Sequence, residues 1–484
     1  MCFAGLVLLI VETKSKTIYN LSPNGKDITG CGNLSNPCKT LHYVLSNKSS
    51  ALLSFTELKV APGKYALKKT YSFTHLKNFS ITGDTSASSN VEIICISKAS
   101  LAFFNSTNIM LSSVRLKRCA DWHSSTRIDK ESFQTDYIHF LIAIQMLNCK
   151  SVTLKDVDIL ESPGVAVNMV DVLGTLKIQN CLFGFNFRRD NTTAPADVGL
   201  TKMKFTWAGG GVFLKLTKYG SYNGSLEPKE HKIETSGNKY LIENCRFLGN
   251  EAPRSGPEDP TETPDSPFSR GGGLAIIFKG SASNNMINIR SCTFSENKAD
   301  WGGGLHVHFA DTSENNSLRI SNSTFESNFA HFSGGGARIG SDNPIMVESL
   351  VPHNLFVENC VFTNNTAMWG GGLAIYGATR RVGPNLLNST SNNALFKNCS
   401  WIRNKGTVGS AIGAYLKNLN RDGIGPSVPY HLELDHCSVI ENQAIVLGDE
   451  VNIGHGAIYS VRVPMVLRQA QFPFISGHFI ISQS

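Results

Sequence analysis

The chain has 484 residues, of which 41% are hydrophobic and 17% charged, and its formal net charge at pH 7 is +7. The positive charge is spread along the sequence without basic blocks, which argues against nucleic-acid binding. The apolar run from Cys2 to Val11 is too short for a transmembrane helix. Residues 1–12 are instead predicted to be a secretory signal, which indicates a secreted or cell-surface protein. The alternatives are a first buried strand or a truncated gene model.

Residues 13–50 are predicted to form a cap at the N-terminal end of the fold. Cys31 and Cys38 are the best candidates for a disulfide, because they close a small loop and the compartment is expected to be oxidising. The stretch from Leu41 to Leu45 predicts a short helix. A cap is needed because the first coil of a repeat protein otherwise exposes strand edges and apolar side chains.

The remaining chain, residues 51–484, is predicted to form the main body of the fold, and a repeated unit organises it over residues 175–460. Its first half has the form Asn-Cys-x-Phe-x-x-Asn, as in Asn180 to Asn186 and Asn359 to Asn365, and it occurs in seven copies with single replacements. The residues before each copy alternate apolar and polar, as in Ile287-Asn288-Ile289, which predicts a strand with one buried face. The first Asn suits a sharp left-handed bend. After the bend, the Cys and Phe side chains are expected to point inward together.

The second half of the unit is a glycine triplet followed by a short apolar strand. The triplets lie at residues 209–211, 271–273, 302–304, 334–336 and 370–372. Glycine permits a tight corner and close backbone approach. One coil cannot bury its apolar face alone, whereas stacked coils can. The sequence therefore predicts an all-β solenoid, a single-stranded parallel β-helix with an N-terminal cap and long corner loops. Roughly eleven coils at the ~4.8 Å strand spacing would give a rod of about 50 Å.

The repeat, in which Phe-x-x-Asn is followed by Gly-Gly and an apolar run, resembles the repeats of chlamydial polymorphic outer-membrane proteins. It is also similar to eukaryotic β-helix proteins of the pectin-lyase-like superfamily, seen in sponges and cnidarians. The resemblance covers about residues 175–460. It implies a right-handed parallel β-helix, and it is specific for fold and unspecific for function.

Insertions and glycosylation motifs also indicate an extracellular protein. Long insertions are predicted at shared corners, with 187–208 and 251–270 before two glycine triplets. Twelve Asn-x-Ser/Thr motifs favour a secreted glycoprotein. Asn191, Asn223 and Asn388 lie in insertions and are the predicted glycosylation sites. Asn322 and Asn398 are expected to face inward at the bend and to remain unmodified.

A column of cysteines is the first constellation that suggests chemistry. Its members are Cys181, Cys245, Cys292, Cys360, Cys399 and Cys437. Side chains stacked in register point in parallel, which is poor disulfide geometry, so we expect buried thiols that pack as small apolar groups. The chain has no Cys or His pairing typical of zinc. Neither a metal nor a cofactor is predicted.

Tryptophan and histidine give the second constellation. Trp207, Trp301 and Trp369 each lie at the corner before a glycine triplet. They are candidate binding residues for sugar rings or a partner protein, although packing at the corner is the favoured interpretation. His306 and His308 face the same way on one strand and are interpreted as structural.

The third constellation is that of a glycan-cleaving enzyme. Gly454-His455-Gly456 resembles a motif of polygalacturonases, and Asp435-His436-Cys437 resembles a segment of pectate lyases. Asp435 and His455 are therefore candidate catalytic residues. A hydrolase needs two or three carboxylates on one face of adjacent coils, and the adjacent Asp pair of those hydrolases is missing.

The sequence favours a secreted or cell-surface glycoprotein whose β-helix is a non-catalytic scaffold for adhesion or for recognition of a glycan or an extracellular protein. The alternative is a polysaccharide lyase or glycoside hydrolase with a divergent site. A third interpretation is a purely structural matrix component.

Overall fold

The computed structural model describes most of the chain. The described residues are 15–47, 50–85, 91–96, 99–129, 134–186, 210–216, 236–252, 269–278, 282–310, 313, 315–343, 353–379, 392–418, 430–444, 457–461, 465–471 and 480–482. They form the predicted parallel β-helix, and its strands are arranged in three sheets.

The first sheet, here called the long sheet, has 22 strands. These are Thr17–Leu21, Thr56–Val60, Gly63–Leu67, Lys77–Gly83, Val91–Cys95, Thr107–Lys117, Lys150–Leu160, Leu173–Gln179, Leu182–Gly184, Lys239–Glu243, Arg246–Leu248, Met286–Arg290, Thr293–Ser295, Ser317–Ser321, Thr324–Glu326, Asn354–Glu358, Val361–Thr363, Asn392–Lys397, Ser400–Ile402, Tyr430–Asp435, Ser438–Ile440 and Met465–Arg468. The sheet has two arms, and the strand Lys150–Leu160 runs through both because it pairs with the strands on either side of the next bend.

The second sheet has 13 strands and the third sheet has five. The second comprises Tyr71–Thr74, Leu101–Phe104, Asp121–Asp129, Gln134–Leu147, Val165–Val170, Val212–Leu216, Leu274–Phe278, Leu305–Ala310, Ala337–Asn343, Leu373–Thr379, Ile412–Asn418, Ile458–Val461 and Ile480–Ser482. The third comprises Lys298–Trp301, Phe329–Ser333, Thr366–Trp369, Lys405–Val408 and Gln443–Ala444. Asp121–Asp129 pairs antiparallel with Gln134–Leu147 as an added hairpin.

One coil shows how the repeat maps onto the sheets. Met286–Arg290 and Thr293–Ser295 lie in the two arms of the long sheet, Lys298–Trp301 lies in the third sheet, and Leu305–Ala310 lies in the second. The next coil begins at Ser317–Ser321, which pairs in parallel with Met286–Arg290. Each repeat is therefore one full turn of the helix, and successive copies stack in register.

The first Asn of each unit occupies the predicted left-handed bend. The residues at this position in the seven copies have positive φ: Asn180, Asn244, Ser291, Asn322, Asn359, Asn398 and His436. Asn is favoured here because its short polar side chain tolerates the left-handed region. The expectation that Asn322 and Asn398 face inward is wrong, because both side chains are exposed. A left-handed bend turns its own side chain outward and leaves the next residue, Cys or Ser, to point into the core.

The closing Asn of each unit points inward and builds a buried ladder. Its members are Asn186, Asn250, Asn297, Asn328, Asn365, Asn404 and Asn442. From Asn186 to Asn404, each amide group donates to the side-chain oxygen of the next Asn and to a backbone carbonyl of the preceding coil, as Asn365 does to Asn404 at 3.0 Å and to Phe325 at 2.8 Å. Asn442 ends the ladder, and its amide donates to the carbonyl of Trp401. The ladder satisfies polar groups that the corner would otherwise bury unpaired.

The interior beside this ladder is a stack of aromatic rings. Phe183, Phe247, Phe294, Phe325, Phe362 and Trp401 lie face to face, with centroid distances between 4.6 and 5.4 Å. The predicted cysteine column lies next to it as buried free thiols. Each of these thiols donates to backbone carbonyls; Cys292, for example, donates to Arg290 at 3.3 Å. The core is thus built from the residues that the repeat makes periodic.

The glycine triplets sit where backbones of adjacent coils approach most closely. A Cβ at Gly303 would clash with the carbonyl oxygens of Phe329 and Gly335. Gly302 has a φ of +67°, which only glycine adopts without strain. The triplet is therefore required both for conformation and for space.

The N-terminal end is closed by a helix at Leu41–Asn47, followed by a short helix at Ser50–Leu53. Leu41, Val44 and Leu45 are buried in the main core. The strand Thr17–Leu21, within the segment predicted as the cap, already pairs with Thr56–Val60. Cys31 and Cys38 form a disulfide, and the structure adds a second disulfide between Cys95 and Cys119.

Candidate functional site

The outer face of the second sheet differs from the other outer faces because most of its described side chains are buried. On the strand Leu305–Ala310, Leu305, Val307 and Phe309 belong to the main core, so the alternating His306 and His308 point outward. Both histidines are nevertheless at most 3% exposed. In preceding coils the outward residues Phe213, Ala275 and Ile277 join a separate buried apolar cluster with Ile142 and Val165. Polar and aromatic groups replace this apolar surface from His306 onward.

Register places these outward residues in two columns. His306 lies between Ala275 and Arg338 in the first column. His308 is followed by Gly340 and then Tyr376 in the second. A Cβ at Gly340 would clash with the ring of Tyr376, so the glycine leaves the space that this ring occupies. Across that gap the Tyr376 hydroxyl is hydrogen-bonded to Nδ1 of His308.

Two arginines and two aromatic rings complete the site, which is called here the Arg–aromatic cluster: Arg270, Trp301, His306, His308, Arg338 and Tyr376. The guanidinium carbon of Arg338 lies 3.5 Å from the ring centroid of Tyr376 and 4.4 Å from that of Trp301. The guanidinium carbon of Arg270 lies 4.7 Å from the Trp301 centroid. Trp301 therefore receives a cation from the coil before it and another from the coil after it. Such cation–π contacts are stronger when desolvated.

Burial and the charges of two arginines together determine the protonation of His306 in the cluster. Burial holds the pKa of His306 well below its usual value, and the charges of Arg338, Arg270 and His308 lower it further. His306 is therefore neutral at physiological pH. Its two ring nitrogens have no hydrogen-bond partner among the residues that the structure describes.

A buried carboxylate lies at the base of the same corner. Asp300 is fully buried, and its Oδ2 accepts hydrogen bonds from the backbone N–H and the hydroxyl of Ser269, both at 3.0 Å. Ser269 Oγ also accepts a hydrogen bond from the backbone N–H of Asp300 at 2.8 Å. This reciprocal pair fixes the segment that carries Arg270 against the strand that carries Trp301.

The corner between the third and second sheets brings together two of the three predicted tryptophans. Arg270, Trp301, Ser333 and Trp369 are aligned on successive coils. Trp301 and Trp369 are half-buried, and the small Ser333 separates them. The two tryptophans are two strand spacings apart, about 10 Å. Each of the two residues is therefore partly accessible to solvent. Trp207 lies outside the described residues.

The candidate catalytic residues of the enzyme interpretation lie elsewhere. Asp435 is on the outer face of the long sheet, 2.7 Å from Nδ1 of His436, with Lys397 and Arg468 as its neighbours in register. Glu433 shares its face and is ion-paired with Arg468 at 2.7 Å. These groups belong to a surface of alternating charges that also includes the Arg319–Glu358 pair. His455 lies outside the described residues.

The remaining predicted sites give little chemistry. Within the described ranges, no three His, Cys, Asp or Glu side chains are grouped so that they could hold a metal ion. Asn191, Asn223 and Asn388 lie outside those ranges. Nowhere in the described chain does a helix reach the length and apolarity needed to cross a bilayer.

Sequence reasoning missed Arg270, Arg338 and Tyr376. One signal was present: the outward position after the glycine triplet is Phe213, Ala275 or Ala374 in three copies, whereas His306 and Arg338 occupy it in two. A cationic residue at a position that is otherwise apolar is a departure from the repeat. The repeat alone does not show that Arg270 and Trp301, which are on neighbouring coils, lie close to this position.

Comparison with known proteins gives distant structural likenesses. The sequence matches no protein-family model, and no curated protein matches it. Among solved structures, a rhamnogalacturonan lyase aligns over 94% of this chain and 87% of its own, with 11% identity and a TM-score of 0.39. The pectate lyase Pel9A aligns over 95% and 79%, with 12% identity and a TM-score of 0.33. The catalytic domain of a GH87 alpha-1,3-glucanase in complex with nigerose aligns over 95% and 69%, with 9% identity and a TM-score of 0.36. At these values the comparisons assign neither a family nor an activity to this chain.

Proposed function

We propose that this protein is a secreted or cell-surface, non-catalytic β-helix that recognises a glycan along the corner formed by Trp301, Ser333 and Trp369. The observation that carries the proposal is the alignment of two half-buried tryptophans on either side of a small serine. Aromatic faces offer a large apolar surface with a polar edge, which suits the mixed character of a sugar ring. The spacing of about 10 Å between alternate strands lets one extended glycan chain lie across both rings.

The rigidity of the support strengthens this proposal. Each tryptophan terminates a strand of the third sheet, and a glycine triplet follows at once. The triplet locks the backbone against the next coil through hydrogen bonds such as Gly302 N–H to Ser333 at 2.9 Å and Gly334 N–H to Trp369 at 2.9 Å. A site on such a scaffold is already organised before binding, which lowers the entropic cost of association.

A specific observation favours a second candidate, the polysaccharide lyase or glycoside hydrolase. Asp435 and Glu433 are outward positions two apart on one strand, so two carboxylates share a face, as a hydrolase requires. Each of them, however, contacts a basic side chain at 2.7 Å. The pairing favours a structural role for both acids, and it leaves the enzyme as the alternative.

The test is a measurement of binding and turnover on the same samples. The purified protein is passed over immobilised neutral and acidic polysaccharides with and without calcium, and retention and new chain ends are recorded together. We expect retention without new chain ends. New chain ends that disappear in Asp435→Ala would replace the proposal with the enzyme, and the absence of both signals from every polysaccharide would refute glycan recognition.

A further inference from the structure

We infer that this protein carries N-linked glycans at the left-handed bends of its coils, above all at Asn322 and Asn398. The motif Asn-x-Ser/Thr is the acceptor for this modification. The inference rests on the secreted or cell-surface location in the proposed function and does not depend on glycan recognition at the tryptophan corner. It reverses the sequence-based expectation that Asn322 and Asn398 remain unmodified.

The first argument is the way the motif is divided between outward and inward asparagines. In the described part of the chain twelve asparagines have positive φ, and six of them have Ser or Thr two residues later: Asn78, Asn105, Asn315, Asn322, Asn364 and Asn398. The side chains of all six are exposed. Ten described asparagines are buried, and none of these has Ser or Thr at that position. Among the described coils, the motif therefore lies on asparagines that face solvent.

The left-handed bend explains this division. It turns its own side chain outward and the next one into the core, and the third side chain returns to the surface. In the motif of Asn322, Ser323 is 1% exposed and Thr324 is half-buried. The motif of Asn398 has the same pattern, with Cys399 buried and Ser400 half-buried. The second residue after an inward Asn is instead a buried alanine in four coils: Ala252, Ala299, Ala330 and Ala367.

The second argument is the open space beside Asn322. This residue lines a surface groove of about 530 Å³ on the long sheet, together with Asn288, Arg290 and Arg319. Its Oδ1 accepts a hydrogen bond from Asn359 at 3.2 Å, whereas its Nδ2 donates to no residue that the structure describes. A sugar attached to this Nδ2 therefore replaces no hydrogen bond within the described chain and has room in the groove.

The modification needs a donor, an oligosaccharide joined to a lipid through a diphosphate, which the secretory pathway of eukaryotic cells supplies. Nδ2 of the asparagine forms a bond to C1 of the first sugar. The bond between C1 and the diphosphate oxygen breaks, and the diphosphate leaves with the electron pair. The amide gives one of its two protons to a base and keeps the other. The hydrogen bond from Nδ2 of Asn398 to Oδ1 of Asn359, 3.2 Å long, is therefore compatible with the modification.

The two glycans would lie on one edge of the rod. Asn322 and Asn398 are two coils apart, about 10 Å, at the bend between the two arms of the long sheet. Trp301 and Trp369 lie at a different corner, between the third and second sheets. Glycans are bulky and hydrophilic, so they would shield the first edge and leave the tryptophan corner accessible.

The test maps the glycans on the secreted protein. The full chain with its own N-terminus is expressed in a eukaryotic cell line and collected from the medium. A peptide N-glycanase in heavy-oxygen water converts each glycosylated Asn to a labelled Asp, which peptide mass spectrometry locates. We expect label at Asn322 and Asn398. Asn359 is the internal control and should be unlabelled, since it occupies the same exposed bend but is followed by Val361 in place of the hydroxyl residue.

Two valine substitutions give matched gains of the motif. Val361→Thr completes it at the exposed Asn359, and Val170→Thr completes it at Asn168, which is 6% exposed and donates to Gln145 at 3.0 Å. Both valines are half-buried. In the secreted proteins, Val361→Thr should gain one glycan and Val170→Thr should gain none.

The outcomes separate this inference from the proposed function. A secreted protein with unlabelled Asn322 and Asn398 would reject the inference and leave the proposed function intact. Label confined to the insertions would restore the sequence-based assignment of the sites. A glycan on Asn168 in secreted Val170→Thr would show that the facing of an asparagine does not decide its modification. Absence of the protein from both the medium and the cell surface would reject the proposed location, and the inference with it.

Discussion

The side-chain amide of Asn297 donates to Oδ1 of Asn328 at 2.9 Å, and the backbone N–H of Asn297 donates to the same oxygen at 3.0 Å. Asn328 repeats the arrangement with Asn365 in the next coil. Each of these residues therefore donates hydrogen bonds to one neighbour and accepts them from the other. The loss of one residue leaves unpaired acceptors on one side and unpaired donors on the other.

The first prediction follows from this ladder. Asn328→Ala should lower the free energy of unfolding by roughly 3 kcal/mol, because it buries unpaired donors and acceptors in two adjacent coils. Asn322→Ala is the matched control, since it removes an exposed Asn of the same coil and should cost only about 1 kcal/mol through its left-handed backbone. Urea denaturation measures both. Equal losses would contradict a structural role for the inward ladder.

The second prediction concerns the glycine triplet. Gly303→Ala should cost about 3 kcal/mol or prevent folding, because the new methyl group meets backbone carbonyls that cannot move independently. Gly237→Ala is the control: Gly237 has a φ of +72° and has no atom within 4 Å of an added Cβ, so only backbone strain of about 1 kcal/mol is expected. Thermal melts of the two variants give the comparison, and a Gly303→Ala protein as stable as Gly237→Ala would show that the coils can separate.

The repeat made much of the fold readable from the sequence. The alternation around Ile287 and Ile289, the bend at Asn180 and the inward Phe column were all predicted, because each depends on local conformation and on a period that recurs. The facing of Asn322 was predicted wrongly: its left-handed bend was expected, but a residue in that conformation turns its own side chain outward and leaves the next residue to point into the core. The corner that contains Trp301 and Trp369 was predicted only in part. Trp301 and Trp369 were marked by their position, whereas Arg270 reaches Trp301 only through the register of stacked coils.

The third prediction concerns the buried thiols. Burial raises the pKa of the Cys149 thiol to about 11, so it stays protonated and unreactive near neutral pH. Seven cysteines of the described chain are free and buried. Iodoacetamide at pH 8 should leave these seven unmodified in the native protein and modify all of them after denaturation without reductant. Peptide mass spectrometry reads each position. Rapid modification of the native protein, or disulfides between column members, would contradict the packing of this column.

The fourth prediction is a dependence of stability on pH. His353 accepts a hydrogen bond from the backbone N–H of Asn316 at 3.3 Å and stacks on Phe309. Burial lowers its pKa to about 4, so the native state favours the neutral ring. The stabilisation is complete above the ordinary pKa of 6.5 and is lost as the pH falls toward 4, by roughly 3 kcal/mol in total.

His353→Asn tests this dependence, since an amide oxygen can accept the same hydrogen bond without titrating. Urea midpoints at pH 7.5 and pH 4.5 are measured for both proteins. The wild-type protein should lose more stability between these pH values than the variant. An identical loss in both would place the titration elsewhere in the chain.

The central claim is that the corner containing Trp301 and Trp369 binds a glycan without cleaving it. The most direct measurement is the affinity of Trp369→Ala for the glycan that the wild-type protein retains best. Trp401→Phe is the control, because Trp401 is fully buried at a position where the other members of the aromatic stack are phenylalanine. We expect Trp369→Ala to bind about tenfold more weakly, the loss typical of one stacked aromatic ring, with Trp401→Phe unchanged and no new chain ends in any sample. Wild-type affinity in Trp369→Ala, or new chain ends in the wild-type sample, would contradict the account.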